Sequence, residues 1–110
     1  MPKRDRLTHA ELAALPRGGA RRYPSTYFSL SVTPLGGKTR SQAVCVVSKK
    51  VAAHAVGRNR IKRRVRSVLS GVLPKLKQPY ALVFTARSGV ARASFPEIRD
   101  DIQRLLMRVE

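Results

Sequence analysis

The 110-residue chain has little of three things that restrict function: cysteine, acidic side chains and long apolar runs. Its one cysteine, Cys45, lies in the apolar stretch AVCVV, which excludes an intramolecular disulfide and indicates a buried, unreactive thiol. No stretch comes near the roughly 18 consecutive apolar residues of a membrane-spanning helix, and the basic N-terminus lacks the apolar segment of a secretion signal. We therefore expect a cytoplasmic protein, and at this point nucleic acid, an anionic membrane surface and an acidic protein all remain possible partners.

Acidic residues are confined to the two ends of the chain. Between Glu11 and Glu97 there is none, while 17 basic residues occupy that interval. The net charge of +17 opposes compaction through self-repulsion, which a polyanionic partner normally offsets. The chain also lacks the carboxylate cluster of metal-dependent hydrolases, and its two histidines, His9 and His54, do not have the spacing of metal ligands. We predict that the protein alone holds no metal, no cofactor and no catalytic residue.

Two capping boxes mark the beginnings of the first and last predicted helices. Thr8 with Glu11 predicts a short helix that Pro16 and the glycines after it stop within about two turns. Ser94 with Glu97 predicts a terminal helix with an apolar stripe. The stripe consists of Ile98, Ile102, Leu105, Leu106 and Val109.

Three stretches have the composition of β-strands. Apolar and polar side chains alternate from Phe28 onward, residues 41–48 form a β-branched run, and residues 80–86 form a third clear strand. The first two predict a hairpin over residues 26–48 with a long glycine-containing turn. Its second strand is more apolar, so we expect it to be the more central one.

The stretch GRNRIKRRVR, residues 57–66, has six basic side chains and no acidic one, and its helical periodicity begins near Arg58 and ends near Leu73. At about 100° per residue, Asn59, Arg63 and Arg66 lie together, opposite an apolar stripe. A solvated helix face usually mixes charges of both signs, whereas like charges here repel each other. Arginine suits bidentate phosphate contacts, so we predict a phosphate-binding helix, in which Asn59 either hydrogen-bonds the ligand or caps the helix.

The segment SKKVAAHAVGRNRIKRRVR, residues 48–66, resembles the RNR signature of the protein subunit of bacterial-type ribonuclease P. The resemblance continues in family order from RLTHAEL, through the strand around Phe28 and the strand end FTAR, to the terminal helix. It implies one domain over residues 1–110, an α+β fold like domain 2 of ribosomal protein S5. Helices would pack on one mostly antiparallel four-stranded sheet in the order αβββαβα, with a left-handed βαβ crossover that general topology rules disfavour. We expect the fourth strand before residue 48 or in a stretch that looks like a loop.

The resemblance also implies a function. Such a protein binds the RNA subunit of ribonuclease P and the 5′ leader of precursor tRNA, and this endoribonuclease removes the leader. The RNA subunit carries the chemistry and binds most of the Mg²⁺, and the protein is a monomer within a 1:1 ribonucleoprotein that has no membrane partner. The residues that the resemblance and the charge pattern assign to RNA binding are Lys49, Lys50, Arg58, Asn59, Arg60, Lys62, Arg63, Arg66 and Arg87.

The leader is expected in a cleft between the first helix and the sheet. The resemblance and the neighbouring aromatics assign Arg17, Tyr27 and Phe28 to it, although Phe28 has a second interpretation as a core residue. Family members commonly carry aromatic residues on the first helix, whereas the corresponding positions here are Ala13 and Arg17. Base stacking is therefore reduced on that wall, and Arg17 would contact a phosphate instead.

Three other functions share part of this pattern. A ribosomal or general RNA-binding protein would have the charge and the fold but not the Ser-Lys-Lys before the RNR run. A DNA-compacting protein would normally show a dimer interface or a groove-reading arm. A self-contained nuclease would need metal-binding carboxylates, which are missing between residues 12 and 96.

Overall fold

The structure, a computed structural model, describes residues 5–13, 15, 21–35 and 40–109. Its helices and strands occur in the predicted order αβββαβα. They are α1 (His9–Ala13), β1 (Arg21–Pro24), β2 (Phe28–Pro34), β3 (Gln42–Val46), α2 (Ala55–Val72), β4 (Tyr80–Ala86) and α3 (Phe95–Val109). Short 3₁₀ turns lie at Leu73–Lys75 and Val90–Arg92.

The strands of the described residues form one sheet in the order β1-β2-β4-β3. β2 is antiparallel to both of its neighbours, β1 and β4, whereas β3 runs parallel to β4. The connection between the parallel strands contains α2, so the mostly antiparallel sheet and its βαβ unit are confirmed. The left hand of that crossover stays a prediction.

The predicted hairpin over residues 26–48 is wrong, because β4 lies between β2 and β3. For the same reason β3 is an edge strand and not the more central one. β2 instead forms its hairpin with β1, where Tyr23 lies opposite Leu30. β1 is the fourth strand, and its short, mostly exposed sequence RRYP lacks the apolar alternation that identifies a strand.

α2 and α3 pack on one face of the sheet and form the core with it. Phe28 and Phe84 lie at its centre with their rings edge to face and their centroids 5.9 Å apart. The predicted apolar stripes of both helices are buried, apart from half-buried Val72 and Val109. Cys45 is also buried, as predicted, and burial raises the pKa of its thiol to about 12, so the thiol is protonated at neutral pH.

Both predicted capping boxes are present. The N–H groups of Glu11 and Thr8 each donate to the other residue's side chain at 3.1 Å. The Ser94 N–H donates to Glu97 Oε1 at 2.9 Å, and the Glu97 N–H donates to Ser94 Oγ at 3.3 Å. Since these side chains satisfy N–H groups that have no partner within the helix, they fix where α1 and α3 begin.

The opposite face of the sheet, called here the second face, is not covered by α2 or α3. It carries the side chains that alternate with the core residues; among them Thr33 and Ala81 are buried, and the others are half-buried or exposed. They include Ser29, Ser31, Val44, Val46, Val83 and Thr85. The N-terminal segment runs along the β3 edge, where the Leu7 N–H donates to the Ala43 carbonyl at 3.0 Å, so α1 begins beside that edge.

Candidate nucleic-acid interface

The side of α2 that faces away from the core is cationic. Asn59, Arg60 and Arg63 are exposed there, and Lys62 and Arg66 are half-buried. None of these four basic side chains forms a hydrogen bond or ion pair with another residue in the described ranges. Their charges are therefore available to an anionic partner, at the cost of mutual repulsion while the helix is free.

Asn59, Arg63 and Arg66 line one shallow depression together with Val56, as the helical spacing predicts. Asn59 lies inside α2, because the helix begins at Ala55 and not near Arg58. The alternative that Asn59 caps the helix is thus wrong. His54 occupies the N-cap position, with an extended backbone and no hydrogen bond from its side chain to the helix end.

Arg58 is positioned differently from the other α2 cations. Its Nη1 donates to the carbonyl oxygens of Ala52 and Ala53, at 3.0 and 2.9 Å. The guanidinium thereby ties the first turn of α2 to the segment before it. Its remaining N–H groups can still donate to a phosphate, so Arg58 combines a structural contact with its predicted RNA contact.

Lys49 and Lys50 are exposed in a hydrogen-bonded turn that follows β3. The N–H groups of Val51 and Ala52 both donate to the Ser48 carbonyl, at 3.1 and 3.2 Å. The turn therefore has a defined backbone. The Arg58 guanidinium binds the carbonyl oxygens at the end of this turn. It therefore joins the turn that carries the two lysines to the cationic side of α2.

Lys62 and Arg66 lie on the flank of α2 nearest β3. Their positive charges act on the Cys45 thiol and lower its pKa, but by less than burial raises it. Arg66 also lines a small groove with Leu7 and Val44, between α2, β3 and the N-terminal segment. The cationic side of α2 thus extends to the β3 edge where α1 begins.

Arg87 follows β4 and is exposed. Its Nη1 donates to the Ser25 carbonyl at 2.7 Å, and its backbone N–H donates to the Tyr27 carbonyl at 2.8 Å. These bonds anchor Arg87 beside the β1–β2 turn. Gly89, with a φ of 102°, then turns the chain toward α3 in a conformation that other residues rarely adopt.

Of the three residues predicted for the leader cleft, Tyr27 and Phe28 lie within the described part of the chain, and neither side chain faces the second face of the sheet. The contact predicted for Phe28 is wrong, because its side chain is 0% exposed and packs in the core. Tyr27 is half-buried, and its hydroxyl donates to Glu97 Oε2 at 3.0 Å, which turns its ring toward α3 and away from the second face. Arg17 lies outside the described residues. The sequence signal that identifies the exposed face is the alternation along β2, since it places Ser29 and Ser31 on the face opposite the core.

Asp101 is a buried acidic residue in α3. Its position in the helical pattern of the sequence does not distinguish it from a surface residue. Its Oδ2 accepts a hydrogen bond from the Ser25 hydroxyl at 2.6 Å and one from the Tyr27 N–H at 3.0 Å. Arg104 lies one turn further along α3, 3.7 Å from Oδ1. Asp101 thus fixes the β1–β2 turn, which in turn holds Arg87.

Glu97 has a second interaction besides its capping box. The hydrogen bonds from Ser94, followed by that from Tyr27, lower the pKa of the Glu97 carboxyl. The same contact raises the pKa of Tyr27, mainly because the phenol donates to the carboxylate. At neutral pH the Glu97 carboxyl is therefore charged and the Tyr27 phenol keeps its proton, and these are the two states that the hydrogen bond needs.

Within the described ranges, no group of three or more His, Cys, Asp or Glu side chains could hold a metal ion. The same ranges contain no helix of the length and apolar composition needed to cross a membrane. The candidate interface is thus a cationic surface made of α2 and the turn before it, next to the second face of the sheet, and Arg87 is held at the end of β4 beside the β1–β2 turn.

Comparison with known sequences gives matches over the whole chain. The sequence model of the family described as Ribonuclease P matches residues 1–110. A "Ribonuclease P protein component" from Pseudanabaena is 32% identical over 110 residues, which is all of this chain and 95% of that protein. One of the same description from Xanthomonas campestris is 45% identical over 80 residues, 72% of this chain and 53% of that protein. This chain therefore matches only about half the length of the Xanthomonas relative.

Comparison with solved structures gives the same architecture. The RNase P protein from Thermotoga maritima superimposes with a TM-score of 0.82 at 24% identity, covering 96% of this chain and 97% of that one. The RNase P protein of Staphylococcus aureus gives 0.79 at 18% identity, covering 94% and 92%. At these identities the likeness concerns the fold, and it confirms the α+β domain predicted from the sequence.

Proposed function

The chain belongs to the ribonuclease P protein family, and from that premise we propose that it binds the ribonuclease P RNA and the 5′ leader of precursor tRNA. The observation that carries the proposal is the cationic side of α2, where four basic side chains project without an internal partner among the described residues. In this role the protein helps the holoenzyme to remove the leader and produce the mature 5′ end of tRNA.

The RNA subunit contacts α2 and the turn before it. Arg60, Arg63 and Arg66 can each present two parallel N–H donors to a phosphate, which suits an RNA backbone better than the point charge of lysine does. Asn59, in the middle of this surface, can hydrogen-bond a ribose hydroxyl or a base edge. Lys49, Lys50, Lys62 and Arg87 add positive charge around it.

The leader lies along the second face of the sheet, beside α1. Two features support this placement: the face is uncovered by α2 and α3, and it adjoins the β3 edge that the cationic side of α2 reaches. Ser29, Ser31 and Thr85 offer hydroxyl groups there, and Arg22 of β1 is exposed on the same face. Since Ser29, Ser31 and Thr85 are small, a strand of nucleotides can approach the sheet. The binding of that strand depends little on base identity.

Catalysis belongs to the RNA subunit in this proposal. The described residues offer no carboxylate cluster for a metal-dependent nuclease, and Asp101 is already engaged by Ser25, Tyr27 and Arg104. The RNA holds most of the Mg²⁺, and the protein strengthens substrate binding as a monomer in a 1:1 ribonucleoprotein in the cytoplasm.

Arg17 contacts a phosphate of the leader in this proposal. Arg17→Ala should therefore weaken leader binding, and unchanged affinity for the leader would contradict this role.

The test is cleavage of a precursor tRNA by a cognate bacterial ribonuclease P RNA at low Mg²⁺ concentration. We expect the protein to restore cleavage, and we expect no cleavage when the RNA is omitted. The double variant Arg60→Gln/Arg63→Gln should need about tenfold more protein for the same rate, because it loses two charge-assisted contacts.

The matched control is Arg99→Gln, which also removes an arginine but lies on α3, where Arg99 pairs with Asp100 at the surface. It should restore cleavage like the unaltered protein. Tight RNA binding without any rescue of cleavage would contradict the proposal and favour a general RNA-binding protein. Cleavage by the protein without RNA would instead favour a self-contained nuclease.

A further inference from the structure

A groove of about 450 Å³ lies at the β1 edge of the sheet, on the same face as the core. Tyr23 and Arg21 of β1 lie opposite core positions of β2, and Val109 of α3 lines the groove beside them. The floor that remains open contains Val32 and Pro34. Tyr80, at the beginning of β4, lines the groove as well.

The groove is separated from the interface on α2. In the sheet order β1-β2-β4-β3, the groove adjoins β1, whereas α2 packs against β3. The described residues that line the groove include none of the cationic residues of α2 or of the turn before it. The groove is therefore a different surface from the cationic side of α2, and it also lies on the opposite side of the sheet from the second face.

The lining of the groove combines aromatic rings with cations. Tyr23 and Tyr80 are both half-buried. The Arg21 side chain is exposed and forms no hydrogen bond or ion pair with another described residue. The guanidinium of Arg108 lies 5.5 Å from the centroid of the Tyr23 ring, and its Nη1 donates to the Pro24 carbonyl at 2.9 Å. Arg108 is thus fixed at the border of the groove, and none of the described residues that line the groove is acidic.

This combination fits a nucleotide. Aromatic side chains bind a base by stacking on its face, and guanidinium groups beside them bind the phosphate. The volume lies within the range of about 300–1,000 Å³ that is usual for small-molecule sites. An acidic peptide would satisfy the arginines but would leave the two tyrosines without a flat partner. We propose that the groove binds one or two nucleotides of single-stranded RNA, as a second RNA site separate from α2.

The first test is photo-cross-linking of the full chain to a single-stranded oligoribonucleotide that contains 5-iodouridine, which reacts with nearby aromatic rings. Cross-linked peptides are identified by mass spectrometry, with fragmentation to separate Tyr23 from Tyr27. We expect cross-links at Tyr23 and Tyr80. Their absence from both tyrosines, at RNA concentrations that saturate the protein, would overturn the proposal.

The second test measures affinity for oligouridylate in the Arg60→Gln/Arg63→Gln background, so that binding to α2 does not hide the effect. Tyr80→Leu and Arg21→Gln should each weaken binding about fivefold, and the control Arg99→Gln should weaken it less than twofold. Arg21 is exposed, so its variant remains informative even if Tyr80→Leu fails to fold. Equal affinities of all three variants would overturn the proposal, as would an oligoglutamate peptide that binds more tightly and depends on Tyr80.

These outcomes are independent of tRNA processing. Cross-links at the two tyrosines without rescue of precursor tRNA cleavage would leave the groove as an RNA site and remove the function proposed above. Rescue without cross-links would remove the groove alone.

Discussion

At the scale of single residues, the buried carboxylate of Asp101 joins α3 to the β1–β2 turn. Its side chain is 3% exposed and accepts hydrogen bonds from the Ser25 hydroxyl and the Tyr27 N–H. Asp101→Asn should lower the free energy of unfolding by about 1–3 kcal/mol, because two charge-assisted bonds become neutral and the new NH₂ group faces Arg104. Urea denaturation at neutral pH measures this change.

Asp100→Asn is the matched control for Asp101→Asn. Asp100 is the preceding residue of the same helix, but its side chain is 53% exposed and pairs with Arg99 at the surface, at 3.2 Å. Such exposed pairs contribute about 0–1 kcal/mol. A loss of stability as large as that of Asp101→Asn would show that helix propensity or net charge, and not the buried hydrogen bonds, accounts for the effect.

Glu97 should make the fold sensitive to acid. Its pKa is lowered from 4.5 in the folded protein, first by the hydrogen bonds from Ser94 and then by that from Tyr27. The folded state therefore binds a proton at Glu97 less readily than the unfolded chain does. The stability from this carboxylate is complete above pH 4.5 and is lost as the pH falls through the lowered folded pKa.

We predict that Glu97→Gln flattens the dependence of unfolding free energy on pH below about pH 5. Denaturant unfolding at a series of pH values measures the slope. Tyr27→Phe should flatten it less, because Ser94 and not Tyr27 is the main cause of the shift. An unchanged acid slope in Glu97→Gln would mean that other carboxylates determine the acid sensitivity.

At the scale of secondary-structure elements, α2 begins without a capping side chain. The N-cap residue is His54, whose backbone has the extended conformation of an N-cap, with a φ of −100° and a ψ of 144°. His54→Ser should increase the free energy of unfolding by about 0.5–1 kcal/mol, because a serine hydroxyl can accept a hydrogen bond from the first turn. Thermal and urea unfolding measure this gain, and His54→Ala, which cannot cap the helix, should show none.

The elements differ in how far the sequence predicts them. α1 and α3 were predictable because Thr8–Glu11 and Ser94–Glu97 are local signals, and the apolar stripe of α2 needs only helical periodicity. Local signals cannot show that β4 inserts between β2 and β3, so the predicted hairpin was wrong. β1 was missed because an exposed four-residue edge strand has neither alternation nor apolar composition.

The same distinction between local signals and long-range pairing applies to the candidate site. The cationic side of α2 could be predicted because consecutive residues of one helix form it. The second face could be predicted only in part: the alternation along β2 places Ser29 and Ser31 on it, but their neighbours on β4 and β3 depend on the pairing of the whole sheet. Asp101 was missed for a related reason: its partners Ser25 and Tyr27 are 76 and 74 residues away in the chain.

At the scale of the whole molecule, charge is distributed unevenly. In the described residues the acidic side chains lie in the N-terminal segment and in α3. Every charged side chain of α2 and of the turn before it is basic. A polyanion bound to α2 should therefore meet little repulsion from the protein. It would also relieve the mutual repulsion of the α2 cations, so binding and fold stability are coupled.

This distribution predicts a steep dependence of RNA affinity on salt. If Lys49, Lys50, Arg60, Arg63 and Arg66 each neutralise one phosphate, the logarithm of the association constant should fall with the logarithm of salt concentration with a slope of about −3.5 to −4.5. Filter binding or fluorescence anisotropy with the ribonuclease P RNA across a KCl series gives the slope. Arg63→Gln should make it shallower by about 0.7–0.9, because one fewer counterion is released. A slope near −1 in the unaltered protein would mean that α2 is not the RNA-binding surface, whatever its charge.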